Sequence, residues 1–91
     1  MKNNDAMTER SSVESHIEIH RHLDVCGLKC PMPILRTKKA LADMASGEVL
    51  EIRATDPAAQ DDFAAFARQT GHQLLKVEEA AGAFTFLLQR K

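Results

Sequence analysis

Apolar and polar positions alternate along four stretches of this chain and recur at helical spacing along two others. In the stretch from His16 to Val25, Ile17, Ile19, Leu23 and Val25 alternate with polar neighbours, which predicts a first strand. A helix is expected from about Pro33 to Ala45. Pro33 suits a first turn; Ile34, Leu35, Leu41, Ala42 and Ala45 are expected on its buried face, and Arg36, Lys39 and Asp43 on its wet one. Gly47 is the expected helix stop. Val49 to Ala54 alternates cleanly, with Leu50, Ile52 and Ala54 on one face. Asp56 as N-cap and Pro57 at the first helical position predict a second helix. Its apolar stripe is Ala59, Phe63, Phe66 and Ala67, and Gly71 ends it. Leu74–Val77 is the expected third strand, Glu79–Gly82 a turn, and Ala83–Leu88 a fourth strand folding back as a hairpin.

The order strand, helix, strand, helix, strand, strand constrains the architecture. A helical crossover between the first two strands implies that they run parallel and right-handed, whereas the last two are antiparallel. Two amphipathic helices cannot cover both faces of four strands. The expected fold is therefore an α/β two-layer sandwich, β-α-β-α-β-β, with both helices on one face of a mixed sheet. Neither an internal repeat nor a phosphate-binding loop is visible.

Length fits this picture: 91 residues make one small domain that buries roughly 64% of its unfolded surface. Residues 1–15 are polar and aperiodic, and read as a disordered leader ahead of a single domain over 16–91. The charges divide at the same place. Residues 1–22 hold three basic and four acidic side chains, and residues 23–91 hold nine of each. A formal charge of −1 with no Trp and no Tyr argues against a nucleic-acid surface. No apolar run reaches the ~20 residues of a membrane span, and the lysine at the start is followed by no apolar stretch, so a secretory signal is not expected. A cytoplasmic location with reduced thiols is the expectation.

Two cysteines are too few for a disulfide framework. The informative segment is Val25-Cys26-Gly27-Leu28-Lys29-Cys30-Pro31-Met32-Pro33, which places Cys30 between a strand end and a helix start. Pro31 and Pro33 stiffen the mouth of that helix. Helix N–H groups, the macrodipole, Lys29 and Arg36 all favour a thiolate, so a low-pKa, nucleophilic Cys30 is expected. The alternative is a small buried apolar residue, and spacing alone leaves the two open.

The run Leu23-Asp24-Val25-Cys26-Gly27-Leu28-Lys29-Cys30-Pro31-Met32-Pro33 resembles the signature of the TusA/SirA family of bacterial sulfur carrier proteins. The resemblance continues through Lys39-Ala40-Leu41, Gly47, Asp56-Pro57, Asp61-Asp62-Phe63 and Gly71-His72-Gln73-Leu74, covering residues 23–91. It implies the same two-layer fold. It also implies that Cys30 accepts sulfane sulfur as a persulfide and passes it on, with Gly27, Lys29, Pro31, Pro33 and Arg36 in support. The implied partners are a cysteine desulfurase or rhodanese-like donor and a downstream acceptor protein, with no direct nucleic acid, membrane, metal or organic cofactor. Family destinations include tRNA thiolation, molybdenum cofactor supply and sulfur oxidation.

Two positions depart from the family pattern. Ala64 stands where relatives often have proline. Cys26 lies outside the motif, and reads either as a strand-end apolar residue or as a second thiol able to resolve a Cys30 persulfide into a disulfide. The latter would make a redox protein or sensor. A third class, an RNA-binding or interaction module, is suggested by a similar small α/β fold in a bacterial translation initiation factor, against which charge and aromatic content both count. His16, His20 and His22 would share one side of a strand, as a solvated face or a metal site. His72 is expected to cap or pack beside the second helix. Lys29, Arg36, Lys38 and Lys39 form a basic helix side, either solvated or a docking rim for acidic partners.

Overall fold

The computed structural model describes residues 17–91. Its elements are β1 (Arg21–Asp24), α1 (Met32–Ala42), β2 (Val49–Ala54), α2 (Ala59–Thr70), β3 (Gln73–Ala80) and β4 (Ala83–Gln89). The sheet runs β1-β2-β4-β3. β1 is parallel to β2, and β4 is antiparallel to both β2 and β3. This is the mixed four-stranded sheet with two helices that the element order implies. The expected leader and His16 lie outside the described residues.

β2 forms the spine of the core. Leu50, Ile52 and Ala54 are fully buried, as are Phe86 and Leu88 opposite them on β4. From α2, Phe63 sets its ring 4.6 Å from that of Phe86, and Ala59 and Phe66 are buried beside it. Aromatic pairs at such separations contribute beyond the area they bury. Gly71 takes φ +87° and its N–H donates to the Ala67 carbonyl oxygen, the left-handed cap that ends a helix most readily at glycine. A two-residue turn, Ala81-Gly82, joins β3 to β4 with φ values of +53° and +82°.

Several boundaries differ from the sequence expectation. β1 starts at Arg21, not His16. Among the described residues its strand partner is β2, whose first residue, Val49, already accepts the His20 N–H at 2.9 Å, so β2 offers nothing further for the residues before His20 to pair with. The buried face of α1 is Pro33, Thr37, Ala40 and Leu41, whereas Leu35 is 48% exposed and Ala42 and Ala45 face solvent. The hydrophobic pattern hides this face because it includes a threonine. Thr37 can be buried because its hydroxyl donates to the Pro33 carbonyl oxygen at 2.8 Å, which satisfies the polar group. α1 ends at Ala42, and Gly47 instead belongs to the turn before β2, where its N–H donates to the Arg90 carbonyl oxygen. α2 starts at Ala59. Asp56 caps the turn ahead of it, accepting the Ala58 N–H on Oδ1 at 3.1 Å. β3 runs on through Ala80, which shortens the turn to Ala81-Gly82.

Candidate functional site

The parallel β1-α1-β2 crossover brings the segment between β1 and α1 beside the segment between β2 and α2. Main-chain hydrogen bonds fasten the two together. Val25 N–H donates to the Arg53 carbonyl oxygen at 2.8 Å, Gly27 N–H to Thr55 Oγ1 at 2.8 Å, and Cys30 N–H to Asp56 Oδ2 at 2.9 Å. Val25 is fully buried and Leu28 packs against the core. The loop is therefore anchored by its backbone and two apolar side chains, and it projects both thiols outward. Cys26 and Cys30 are free and exposed. The Cys30–Pro31 peptide bond is cis.

Asp56 is the hub of this arrangement. One carboxylate oxygen holds the Cys30 N–H and the other the Ala58 N–H. Those two bonds, that to Ala58 first, hold its carboxyl below the usual value, and Lys29 adds to the effect.

The electrostatics of Cys30 run opposite to the sequence expectation. Its thiol is pushed above the ordinary value, first by partial desolvation, then by the Asp62 carboxylate, and finally by Asp56. The reasons are geometric. Pro31 and Pro33 have no N–H, and the Met32 N–H is taken by the Lys29 carbonyl oxygen at 2.9 Å, so the helix mouth offers few donors to a thiolate. The charges acting on the thiol come from Asp62 on α2 and from Asp56 just before it, and are negative. Lys29 spends its field on Asp56. Lys29 and Arg36 are both exposed.

Cys26 is not a buried strand-end residue. Its N–H donates to Asp24 Oδ1 at 2.9 Å. A hydrogen bond to the same carboxylate, then slight desolvation, raises its thiol, with Arg53 opposing.

An open groove separates α1 from α2. Cys30, Pro31, Ile34, Asp62 and Phe66 line its near end. Past Lys38 and Thr70 it continues to His72 and Arg90. The His72 ring lies 5.8 Å from that of Phe66, and its Nδ1 accepts the Lys91 N–H at 2.9 Å, so it packs beside α2 and ties down the last residue. His20 Nδ1 accepts the Val49 N–H, and His22 pairs with Glu51 at 2.7 Å. Among the described residues, no cluster of three His, Cys, Asp or Glu side chains could hold a metal. Met32 stands exposed at the rim beside Cys30 and Phe63 is core. No helix among them is long and apolar enough to cross a membrane.

Sequence reasoning misses Asp56 and Asp62 as partners of Cys30. It reads Asp56 as a helix N-cap and meets Asp62 only within the family resemblance. The available signal is topological: a parallel crossover places the ends of β1 and β2 side by side, so the segment leaving β2 must face the segment leaving β1.

Residues 21–90 match the model of the family described as Sulfurtransferase TusA. A protein of Neisseria meningitidis serogroup A is 61% identical over 69 residues, which span 76% of this chain and 93% of that one. The sulfur carrier protein TusA of Allochromatium vinosum is 49% identical over 73 residues, 80% of this chain and 96% of its own. Among solved structures, the SirA-like protein of Desulfitobacterium hafniense superposes with a TM-score of 0.67 at 26% identity, covering 76% of this chain and 95% of its own.

Proposed function

Because the chain belongs to the TusA sulfurtransferase family, we propose that its sulfur-carrying role runs through Cys30, which takes up a sulfane sulfur as a persulfide and delivers it to an acceptor protein. The observation that carries this reading is the placement of Cys30: an exposed thiol whose backbone is pinned to Asp56 at 2.9 Å, at the open end of the inter-helix groove. A thiol that must be reached by another protein's cysteine needs exposure, and a transfer between two macromolecules needs a fixed position.

The chemistry is a thiol–persulfide exchange. The Cys30 thiol gives up its proton and Sγ attacks the outer sulfur of a donor cysteine persulfide. The donor's S–S bond breaks, and the donor cysteine leaves as a thiolate that takes up a proton. The sulfane sulfur moves without net oxidation or reduction, so the step needs no electron carrier. Delivery repeats the exchange with Cys30 as the leaving thiolate. Pro31 and Pro33 hold Cys30 at the helix mouth, Gly27 ties the loop through its N–H, and the exposed Lys29 and Arg36 form a cationic rim for docking partners. A cysteine desulfurase or a rhodanese-like protein is the class of donor this chemistry fits.

The test is to incubate the reduced protein with a cysteine desulfurase and cysteine and to record its intact mass with and without a reductant. Gain of one or more sulfur atoms, reversed by the reductant, retained in Cys26→Ala and absent in Cys30→Ala, is the expected result. Loss of a hydrogen pair with no sulfur gain would instead identify a Cys26–Cys30 disulfide and a dithiol redox protein.

A further inference from the structure

We propose that the far end of the inter-helix groove is a binding site for an anionic oxygen group: Lys38, His72 and Arg90, from three separate parts of the fold, line a cavity of about 190 Å³ whose free polar groups are all donors. The site lies at the opposite end of the groove from Cys30 and does not rest on the persulfide reading above.

Each donor is set by a named contact. The Lys91 N–H can only donate, and it donates to His72 Nδ1 at 2.9 Å. The neutral ring therefore carries its own hydrogen on Nε2, where it is a donor. Arg90 uses Nε on the Leu41 carbonyl oxygen at 2.9 Å and Nη1 on the Lys91 main-chain oxygen at 3.1 Å. Those bonds fix the guanidinium at the end of α1 and leave Nη2 available. Lys38 is exposed on α1 and lines both ends of the groove. The Thr70 hydroxyl is already used in both directions, donating to the Phe66 carbonyl oxygen and accepting the His72 N–H. Leu41 and Phe66 supply an apolar floor. Among the described residues, no Asp or Glu lines this cavity or pairs with Lys38 or Arg90. The charges that face His72 are those of Arg90 and Lys91; after burial, which acts first, they hold its imidazole below the ordinary value. A concave surface lined by one sign of charge concentrates ions of the other, and a set of donors with no free acceptor suits carboxylate or oxyanion oxygens. The ligand is thus a compact anion, with two sources: a free tetrahedral oxyanion, or a carboxylate carried by a protein lying along the groove.

The experiment follows the imidazole resonances of the full chain by NMR as pH is lowered, in chloride, sulfate or formate at matched ionic strength. His20 and His22, outside the cavity, report the general salt effect. A bound anion favours the imidazolium, so the His72 midpoint should rise by about half a pH unit or more over its value in chloride, while those of His20 and His22 stay together with the salt background. A larger response to sulfate assigns the site to a free oxyanion, and a larger response to formate assigns it to a carboxylate. Lys38→Gln and Arg90→Gln should each lose most of the His72 response. Because Arg90 also holds the end of α1, Lys38→Gln is the decisive variant, and circular dichroism checks the fold of both. A His72 midpoint that moves no further than those of His20 and His22 in either anion, or a response that survives Lys38→Gln undiminished, would overturn the site. Neither readout involves sulfur loading, so failure of the carrier reading shows separately, as an absent mass gain in the parent.

Discussion

Asp56 binds Cys30 through the backbone and not through sulfur: its Oδ2 accepts the Cys30 N–H at 2.9 Å, across 26 positions of sequence. The same carboxylate caps the turn into α2 through the Ala58 N–H. One side chain thus registers the two loops that meet at the open end of the groove. Asp56→Asn keeps a single acceptor oxygen where two are used, and its Cys30 amide should exchange with solvent faster than the parent's by hydrogen-exchange NMR. The folded carboxyl lies below its ordinary value because of the Ala58 N–H first and the Cys30 N–H second. Its stabilising share is therefore complete above the unfolded value near 3.8 and lost as pH falls through the lower folded value. The parent should lose stability to urea across that acid window more steeply than the variant. Equal slopes would mean that the carboxylate is not coupled to folding.

His72 carries the opposite kind of group with the same sign of dependence. Desolvation first, then Arg90 and Lys91, push its imidazole below the ordinary value, and the neutral Nδ1 is needed to accept the Lys91 N–H. Its share of stability is full above an unfolded pKa of about 6.5 and declines as pH falls through the folded value. Melting temperatures at pH 7 and pH 5 should differ more in the parent than in His72→Gln. If both fall equally, the acid sensitivity arises elsewhere.

Much of this fold is legible in the chain because the alternation along β2 and the stripe of α2 are unbroken: Leu50, Ile52, Phe63 and Phe66 are buried where periodicity puts them. The face of α1 is not, because Thr37 occupies a core position that a hydrophobic pattern cannot recognise. The position of Cys30 is legible from its flanking prolines, but its electrostatics are not. Lys29 and Arg36 are close in sequence, whereas the charges that act on Sγ belong to Asp62 and Asp56, brought there by a crossover whose geometry no local window contains.

The core should be costly to thin. Phe63 is fully buried and packs on Phe86 at 4.6 Å. Phe63→Ala should lose about 3–5 kcal/mol, a large part of the roughly 5–10 kcal/mol expected for a domain this small. Ile52→Val, equally buried, should lose about 0.5–1.5 kcal/mol. Urea unfolding midpoints test both. A Phe63→Ala loss as small as that of Ile52→Val would show that the α2–sheet contact can collapse onto the vacated space.

Gly71 offers a way to separate backbone strain from crowding. Its φ of +87° disfavours any other L-residue, and an added Cβ would come within 2.9 Å of Lys91 Cδ. Gly71→Ala should destabilise by about 1–2 kcal/mol. Because the atom met is in the flexible side chain of Lys91, which can move aside, adding Lys91→Ala should restore little of that loss. Substantial recovery of the melting temperature in the double variant would assign the cost to the collision and not to the dihedral angle.

The groove beside Cys30 is open, and if Cys30 carries the sulfur this openness sets a clock for the cargo. With protein–protein association at about 10⁵–10⁷ M⁻¹ s⁻¹ and a partner near one micromolar, a loaded carrier waits on the order of 0.1–10 s between encounters. A persulfide on Cys30 would spend that interval in contact with solvent. The flux such a relay sustains would then depend less on the rate of sulfur exchange than on how many partners surround each carrier, and partner abundance becomes the control point.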